Sequence, residues 1–298
     1  MSLFQSLISK PSRRTLRGYA LANLIAQILI VVTGGVVRLT SSGLGCPTWP
    51  KCTDSSLVTV PAQGIHGIIE FANRTLTGAL VIIAGLVFLA AMRRPKPERT
   101  GLVWPAAVIV GGIFVQAVVG GVSVWFKLNP WIVAAHFLIS AALIVVATVL
   151  YWRSLATAHE PVPPLVYSLA PWIFIVGVIT VLMGVLVTGA GPHAGDLGTP
   201  RNGLPLEIIE HVHSYPAYAL LALALMQLVT VRQAAAGSLR NLKRVTWLLL
   251  AAISAQATIG IIQARTGVPA TLVALHMFGA SILISLLTAN FLAIRGKR

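Results

Sequence analysis

The chain has 298 residues, of which 56% are hydrophobic and only 10% are charged, and its mean hydropathy is +0.86. A soluble domain usually carries about 25% charged residues, so this composition excludes a soluble domain. The formal net charge of +15 suggests a nucleic-acid-binding protein only if the basic residues gather on a water-exposed surface.

Eight apolar stretches follow one another along the sequence, each able to cross roughly 30 Å of hydrocarbon. They lie at residues 18–37, 64–92, 101–126, 131–152, 165–189, 205–231, 245–264 and 271–294. The first ends in Gly34-Gly35-Val36-Val37-Arg38 rather than in a small-residue cleavage site, so we expect a retained span and not a signal peptide. The pattern predicts an all-α membrane protein with eight transmembrane helices.

The basic residues lie mainly on one side of these spans. Sixteen flank the spans on the side of the two chain ends, five lie on the opposite side, and Arg74 falls inside a span. By the positive-inside rule this predicts a multi-pass cell-membrane protein with both termini cytoplasmic, and it excludes nucleic acid as a partner. The larger group is Lys10, Arg13, Arg14, Arg17, Arg93, Arg94, Lys96, Arg99, Arg153, Arg232, Arg240, Lys243, Arg244, Arg295, Lys297 and Arg298, and the smaller is Arg38, Lys51, Lys127, Arg201 and Arg265.

The two cysteines, Cys46 and Cys52, share the first predicted extracytoplasmic loop, a compartment that permits a disulfide. Pro47 and Pro50 between them favour a compact turn. A disulfide exposed in so short a loop would be redox-labile. The alternatives are two free thiols or half of a zinc site, although further ligands are missing nearby.

An internal repeat appears when the sequence is compared with itself at an offset of 140 residues. Polar coincidences inside apolar segments are hard to obtain by chance, so they predict two four-helix bundles, at 1–152 and 165–298, joined by a cytoplasmic linker at 153–164. Because four spans is an even number, the two repeats are parallel. The matches are Ile68-Ile69-Glu70 with Ile208-Ile209-Glu210, Gln116 and Gly120 with Gln256 and Gly260, and His136 with His276.

Two histidines in the C-terminal half indicate a cofactor. His213 and His276 lie roughly 8–12 Å below the outer surface, at 1.5 Å per helical residue. Two imidazoles at matching depth on different helices suit the axial positions of a haem iron; the alternative is that they only hydrogen-bond other helices. His211 points to another face of its helix, while His193 in a loop and His159 in the linker are expected to be solvated.

The N-terminal half predicts a different chemistry. His66, Glu70 and Asn73 share one face of the second span, and His136 lies at comparable depth on the fourth. At the offset of 140, Asn73 takes the position of His213. Because an amide is a poor iron ligand, a haem held by His136 would keep an open axial position, as oxygen chemistry requires.

Charged side chains surround this second site. Glu70, as a carboxyl group in an apolar span, is expected to move protons, and the alternative is a structural partner for Arg74. Four basic residues near the outer rim are candidate partners for haem propionates, unless they are simply solvated. They are Arg38, Lys127, Arg201 and Arg265.

The chain resembles the haem A synthase family across all eight spans. The resemblance is carried by Gly34-Gly35-Val36-Val37-Arg38-Leu39-Thr40, by Ser42-Gly43-Leu44-Gly45-Cys46-Pro47-x-Trp49-Pro50-x-Cys52, by Glu70-x-x-Asn73-Arg74 and by Val187-Thr188-Gly189-x-Gly191-Pro192-His193. The Cys-Pro-x-Trp-Pro-x-Cys core is the most specific of these elements.

The resemblance implies that the C8 methyl group of haem O is oxidised to a formyl group, through an alcohol and a gem-diol that loses water, to give haem A for cytochrome oxidase. It implies a resident b-type haem on His213 and His276 and a substrate haem near Glu70 and His136, both towards the outer side. Implied partners are haem O, haem O synthase, membrane lipid and the cytochrome oxidase assembly pathway. The further residues expected to contact cofactor are His66, Asn73, Arg74 and Arg38.

The chain departs from the family pattern at two places. The family usually has histidine at the position of Asn73, which leaves the sixth iron ligand open, with His66 as a candidate, and it often has a second cysteine pair after the fifth span that this chain lacks. Two rival hypotheses are a di-haem electron-transfer cytochrome, which would perform no chemistry on its haem, and a transporter, which would bind none.

Overall fold

The computed structural model describes residues 11–155, 161–234 and 239–295, and within these ranges the regular structure is entirely helical. All eight long helices there are long and apolar enough to cross a membrane, so the chain is a multi-pass membrane protein and the predicted spans are confirmed. Lys10, His159, Lys297 and Arg298 lie outside the described ranges. The helices are α1 (Arg13–Leu39), α2 (Gly64–Met92), α3 (Lys96–Trp125), α4 (Pro130–Leu155), α5 (Pro164–Ala190), α6 (Leu206–Gln233), α7 (Arg240–Arg265) and α8 (Ala270–Arg295), and a 3-10 turn (Pro61–Gln63) precedes α2.

Local sequence explains several helix ends. The Ser12 hydroxyl caps α1 by accepting a hydrogen bond from the Thr15 backbone N–H at 3.0 Å. Helix α5 begins at Pro164, where the fixed backbone angle of proline suits a first turn. Helix α1 stops at Leu39, and Ser41 then adopts a φ of +54°, which turns the chain into the long loop at 40–63.

The eight helices pack as two groups of four. Helices α1 to α4 contact one another in a closed ring, as do α5 to α8, and the groups meet where α8 packs on α1 and α4 and where α4 packs on α5. Each group has its own buried core, with Ile109 and Ile144 in the first and Ile173 and Leu249 in the second. Within the described ranges, the diagonal pairs α2 with α4 and α6 with α8 do not pack directly, so each pair faces across the centre of its ring.

One end of the molecule carries the loops at 40–63 and 191–205, together with the short connections before α4 and α8. We call it the loop end. It is held together by hydrogen bonds between these connections, such as Gly43 N–H to the Gly195 carbonyl at 2.8 Å and Trp125 Nε1 to the Trp49 carbonyl at 3.3 Å. Helices α2, α4, α6 and α8 all begin there, so residues early in these helices lie at similar depth.

Candidate functional site

The sixth and eighth helices bring the rings of His213 and His276 together, edge to face. Each lies about two turns into its helix from the loop end, and their ring centres are 6.5 Å apart with an angle of 76° between the planes. Because α6 and α8 are diagonal in their ring of helices, the two imidazoles meet across the bundle centre.

One nitrogen of each ring, Nδ1, lacks an ordinary hydrogen-bond partner. The Nδ1 atoms of both rings are buried and make no hydrogen bond within the described ranges, although the Thr180 carbonyl lies near His213. Metal-bound histidines usually turn their second nitrogen towards such a carbonyl or a water.

The spacing of the rings fits one ion between them. An imidazole nitrogen lies about 2 Å from a bound metal and the ring centre roughly 1 Å further out, so two axial imidazoles have centres roughly 6 Å apart. The observed 6.5 Å agrees with this. The alternative, in which the histidines only hydrogen-bond other helices, leaves the buried Nδ1 atom of His276 without a partner among the described residues.

Three glycines provide space beside three buried histidine rings, those of His136, His213 and His276. A Cβ atom added at Gly184 would lie 3.1 Å from Cε1 of His213, and one at Gly260 would lie 3.3 Å from Cε1 of His276. Gly120 stands in the same relation to His136, at 3.3 Å. Sequence reasoning assigned these glycines no role, although Gly120 and Gly260 matched in the internal comparison.

The N-terminal half has one such imidazole and one amide. The Nδ1 atom of His136 is buried without a partner among the described residues, and Gln116 donates to the His136 carbonyl at 3.0 Å. Across the bundle, Asn73 Oδ1 accepts a hydrogen bond from the Thr33 hydroxyl at 2.8 Å. Thr33 was not singled out from the sequence, because a threonine in an apolar helix is common.

The structure does not place His66 at the level of Asn73. The two are seven residues apart on α2, or about 10 Å along its axis. The His66 ring is exposed, and its Nδ1 lies 2.9 Å from the Ser42 hydroxyl. His66 therefore belongs to the loop end rather than to the depth of the histidine rings.

Glu70 and Arg74 form a buried ion pair that also holds a loop. Glu70 is only 6% exposed, its Oε1 lies 2.6 Å from Arg74 Nη2, and its Oε2 accepts the Cys46 backbone N–H at 2.6 Å. Arg74 also donates to the backbone carbonyls of Cys46, Thr48 and Lys51. Glu70 is therefore paired with Arg74, the alternative that the sequence left open, because the loop places its backbone around the two charges and satisfies them.

The predicted disulfide joins Cys46 to Cys52, with Cα atoms 4.4 Å apart. Both residues are fully buried, so the expected exposure was wrong. The cause is the packing of the loop: the Trp49 ring sits where Gly121 of α3 lacks a side chain, and it meets Trp125 edge to face at 5.5 Å. The loop thus covers the N-terminal bundle at the loop end.

Replacing both cysteines with serine is expected to lower the free energy of unfolding by about 2 kcal/mol, because the bridge closes a very short loop. We also expect weaker turnover but an unchanged haem content in the C-terminal half, since the loop covers the other half. Mass spectrometry of non-reduced protein, alkylated at lysis, checks the bridge. Alkylation of both cysteines in active protein would contradict it.

Arg38 and His193 connect the two halves at the loop end. Arg38 donates from Nε to the His193 carbonyl at 2.5 Å and from Nη2 to the Thr188 carbonyl at 2.7 Å. The half-buried His193 ring bonds the Val268 carbonyl at 2.9 Å, so its expected solvation was wrong. His211 is exposed, and its Nδ1 lies 2.6 Å from the Glu207 carbonyl oxygen. The propionate role of Arg38, Lys127, Arg201 and Arg265 stays a prediction.

Comparison with known proteins supplies independent information. Residues 17–288 match the profile of the family COX15-CtaA, described as cytochrome oxidase assembly protein. The chain is similar to three proteins named heme A synthase. It is 28% identical to that of Alkalihalophilus pseudofirmus over 65% of this chain and 64% of the relative, and 32% identical to that of Halalkalibacterium halodurans over 59% of each. The Bacillus licheniformis protein is 26% identical over 96% of this chain and 98% of its own length.

The first two alignments span less than two thirds of those relatives, whereas the third spans nearly all of both chains. The profile match reaches from α1 into α8. The similarity therefore includes both groups of four helices.

Proposed function

Because the chain belongs to the COX15-CtaA family of cytochrome oxidase assembly proteins, we propose that it is a haem A synthase. It converts the C8 methyl group of haem O to a formyl group and supplies haem A to cytochrome oxidase assembly. The profile match over residues 17–288 carries the proposal. The relatives named above do not support the rival hypothesis of an electron-transfer cytochrome.

A resident b-type haem in the C-terminal half is part of this proposal. His213 and His276 would hold it, which is supported by their ring spacing of 6.5 Å and by their unpartnered Nδ1 atoms. When bound, such a haem would supply electron transfer. The chain contributes the two imidazoles and the glycines that leave space for them.

The substrate haem is proposed to lie in the N-terminal half, with His136 as its ligand. Asn73 is proposed to stand opposite His136, because it takes the sequence position that His213 has in the C-terminal half. This supports an iron position whose ligand can exchange. Glu70 would accept or release protons as the methyl group is oxidised, and Arg74 holds that carboxyl group in place. Arg38, at the loop end, has Nη1 without a bond to the described residues, and this atom would meet a propionate.

The two halves are proposed to be parallel repeats, with both termini cytoplasmic and the haem sites towards the outer side. The identical cyclic order of helix contacts in each half supports the repeat, and the flanking basic residues support the orientation. Haem O synthase is the proposed donor of the substrate.

The direct test uses a bacterial host that makes haem O but no haem A. Expression of the full chain should make haem A appear in extracted pigments separated by chromatography, whereas the empty vector should leave only haem O and haem B. Haem O without haem A, in membranes that contain the folded protein, would contradict the function.

Gly260→Val tests whether this glycine is needed for haem binding in the C-terminal half. The added side chain would press on the His276 ring, so haem affinity in the C-terminal half should fall about tenfold. Gly78→Val is the matched control, because a Cβ there meets nothing within 4 Å. Equal haem content per protein in the two variants would remove Gly260 from the site.

A further inference from the structure

We propose that Thr33 and Asn73 form an exchangeable ligand face opposite His136, where the Asn73 amide N–H hydrogen-bonds a small diatomic ligand of the haem iron. Thr33 is the positioning residue of this pair. The inference rests on the proposed function, because it requires a haem in the N-terminal half.

The hydrogen bond from Thr33 orients the amide. Its hydroxyl donates to Asn73 Oδ1 at 2.8 Å, while the same oxygen lies 3.1 Å from the Ile30 carbonyl. With Oδ1 engaged on the α1 side, Nδ2 is the end of the amide left for another partner. It makes no hydrogen bond to the residues that the structure describes, and Asn73 is only half-buried.

The internal sequence comparison places Asn73 where the C-terminal half has the imidazole of His213. Asn73 matches His213 at the offset of 140. On the preceding helix the offset rises to about 150, because the loop at 40–63 is nine residues longer than the loop at 191–205. Val31, Gly34 and Val37 then match Val181, Gly184 and Val187, so Gly34 corresponds to the glycine that borders the His213 ring.

The space beside Asn73 remains open. A Cβ added at Gly184 would press on His213, whereas one added at Gly34 would meet no atom within 4 Å. An asparagine side chain is shorter than a histidine side chain, so the helix surface that an imidazole would cover is left free. A small ligand can occupy that space, with Nδ2 as a nearby donor.

Carbon monoxide is the probe that distinguishes such a face from a bis-imidazole site. Ferrous haem with two imidazoles does not bind it readily, whereas haem with one exchangeable position does. The purified full chain is loaded with haem O, reduced and exposed to carbon monoxide. Wild type should bind about one carbon monoxide per N-terminal haem, and in Asn73→His the bound fraction should fall about tenfold or more.

The vibrational frequency of the bound ligand tests the amide and its orientation. Asn73→Leu should still bind carbon monoxide but with its C–O stretching band moved to higher frequency, because the donor is lost. Thr33→Val should move the band in the same direction. Thr75→Val is the matched control on α2, since its exposed hydroxyl bonds only the Phe71 carbonyl of its own helix, and it should leave the band unchanged.

Three results would overturn the inference. The first is that wild-type protein with both haems binds no carbon monoxide, and the second is that the C–O stretching band stays unchanged in Asn73→Leu or Thr33→Val. The third is that haem O does not load into the N-terminal half. Haem A formation is measured separately in the same preparations. Product without carbon monoxide binding rejects this inference alone. Carbon monoxide binding without product rejects the enzyme function and leaves the ligand face standing.

Discussion

Replacing His213 or His276 with alanine is expected to abolish the low-spin b-type haem spectrum of the purified protein. Each substitution removes one of the two imidazoles that are proposed to hold this haem and whose ring centres lie 6.5 Å apart. Haem retained per protein should fall about tenfold or more, because even outer-sphere changes at such sites cost 10–100-fold in affinity. Absorbance spectra and haem extraction measure the loss.

The matched control for this pair is His211→Ala. His211 lies two residues from His213, but its ring is exposed and bonds the Glu207 carbonyl, so its removal should leave haem content unchanged. Folding of all three variants is checked by helical circular dichroism. Wild-type spectra in both site variants would show that the C-terminal assignment is wrong.

Glu70→Gln is expected to lower haem A formation about 10²-fold or more while the resident haem stays bound, because an amide cannot exchange a proton as a carboxyl group does. The glutamine oxygen can still accept the Cys46 N–H. Haem A produced per resident haem is the measurement. Activity near wild type would remove Glu70 from the mechanism.

The structure adds a second explanation that this experiment must separate. Glu70 and Arg74 hold the disulfide loop, and a loosened loop would also reduce activity. The rate at which Cys46 and Cys52 are alkylated after addition of a mild reductant reports how tightly the loop is packed. Lost activity with an unchanged rate of alkylation supports the proton role, whereas faster alkylation supports the structural one. Glu98→Gln is the control, because Glu98 pairs with Arg94 at the same i,i+4 spacing far from the loop end.

Much of the fold could be predicted from the pattern of apolar residues along the sequence. Eight helices were predictable because each must satisfy its own backbone hydrogen bonds in hydrocarbon, which requires about 20 apolar residues in a row. The depths of His213 and His276 followed from counting residues along a helix of known rise. Their pairing was inferred only from this matching depth, because no short-range signal links two residues that are 63 apart in sequence.

The errors at the candidate site share one cause. His193 was expected to be solvated and the disulfide to be exposed, and both expectations treated a loop as a solvated connection. In the structure the loop at 40–63 folds onto the helix ends, and its backbone atoms supply the partners of Glu70 and Arg74. Backbone donors and acceptors are present in every residue, so residue type does not reveal which of them will be used.

Composition and periodicity were sufficient for the membrane location and the number of spans. They also singled out His136, His213 and His276 as candidate ligands, because hydrocarbon penalises polar groups and makes each one in a span conspicuous. Only the tertiary structure decided what surrounds them. The Gly184 and Gly260 contacts, the Thr33 hydrogen bond to Asn73 and the burial of Cys46 and Cys52 all depend on how helices and loops pack at distances of a few ångströms. Such contacts join residues far apart in the chain, and their geometry is set by the whole bundle rather than by any local run of residues.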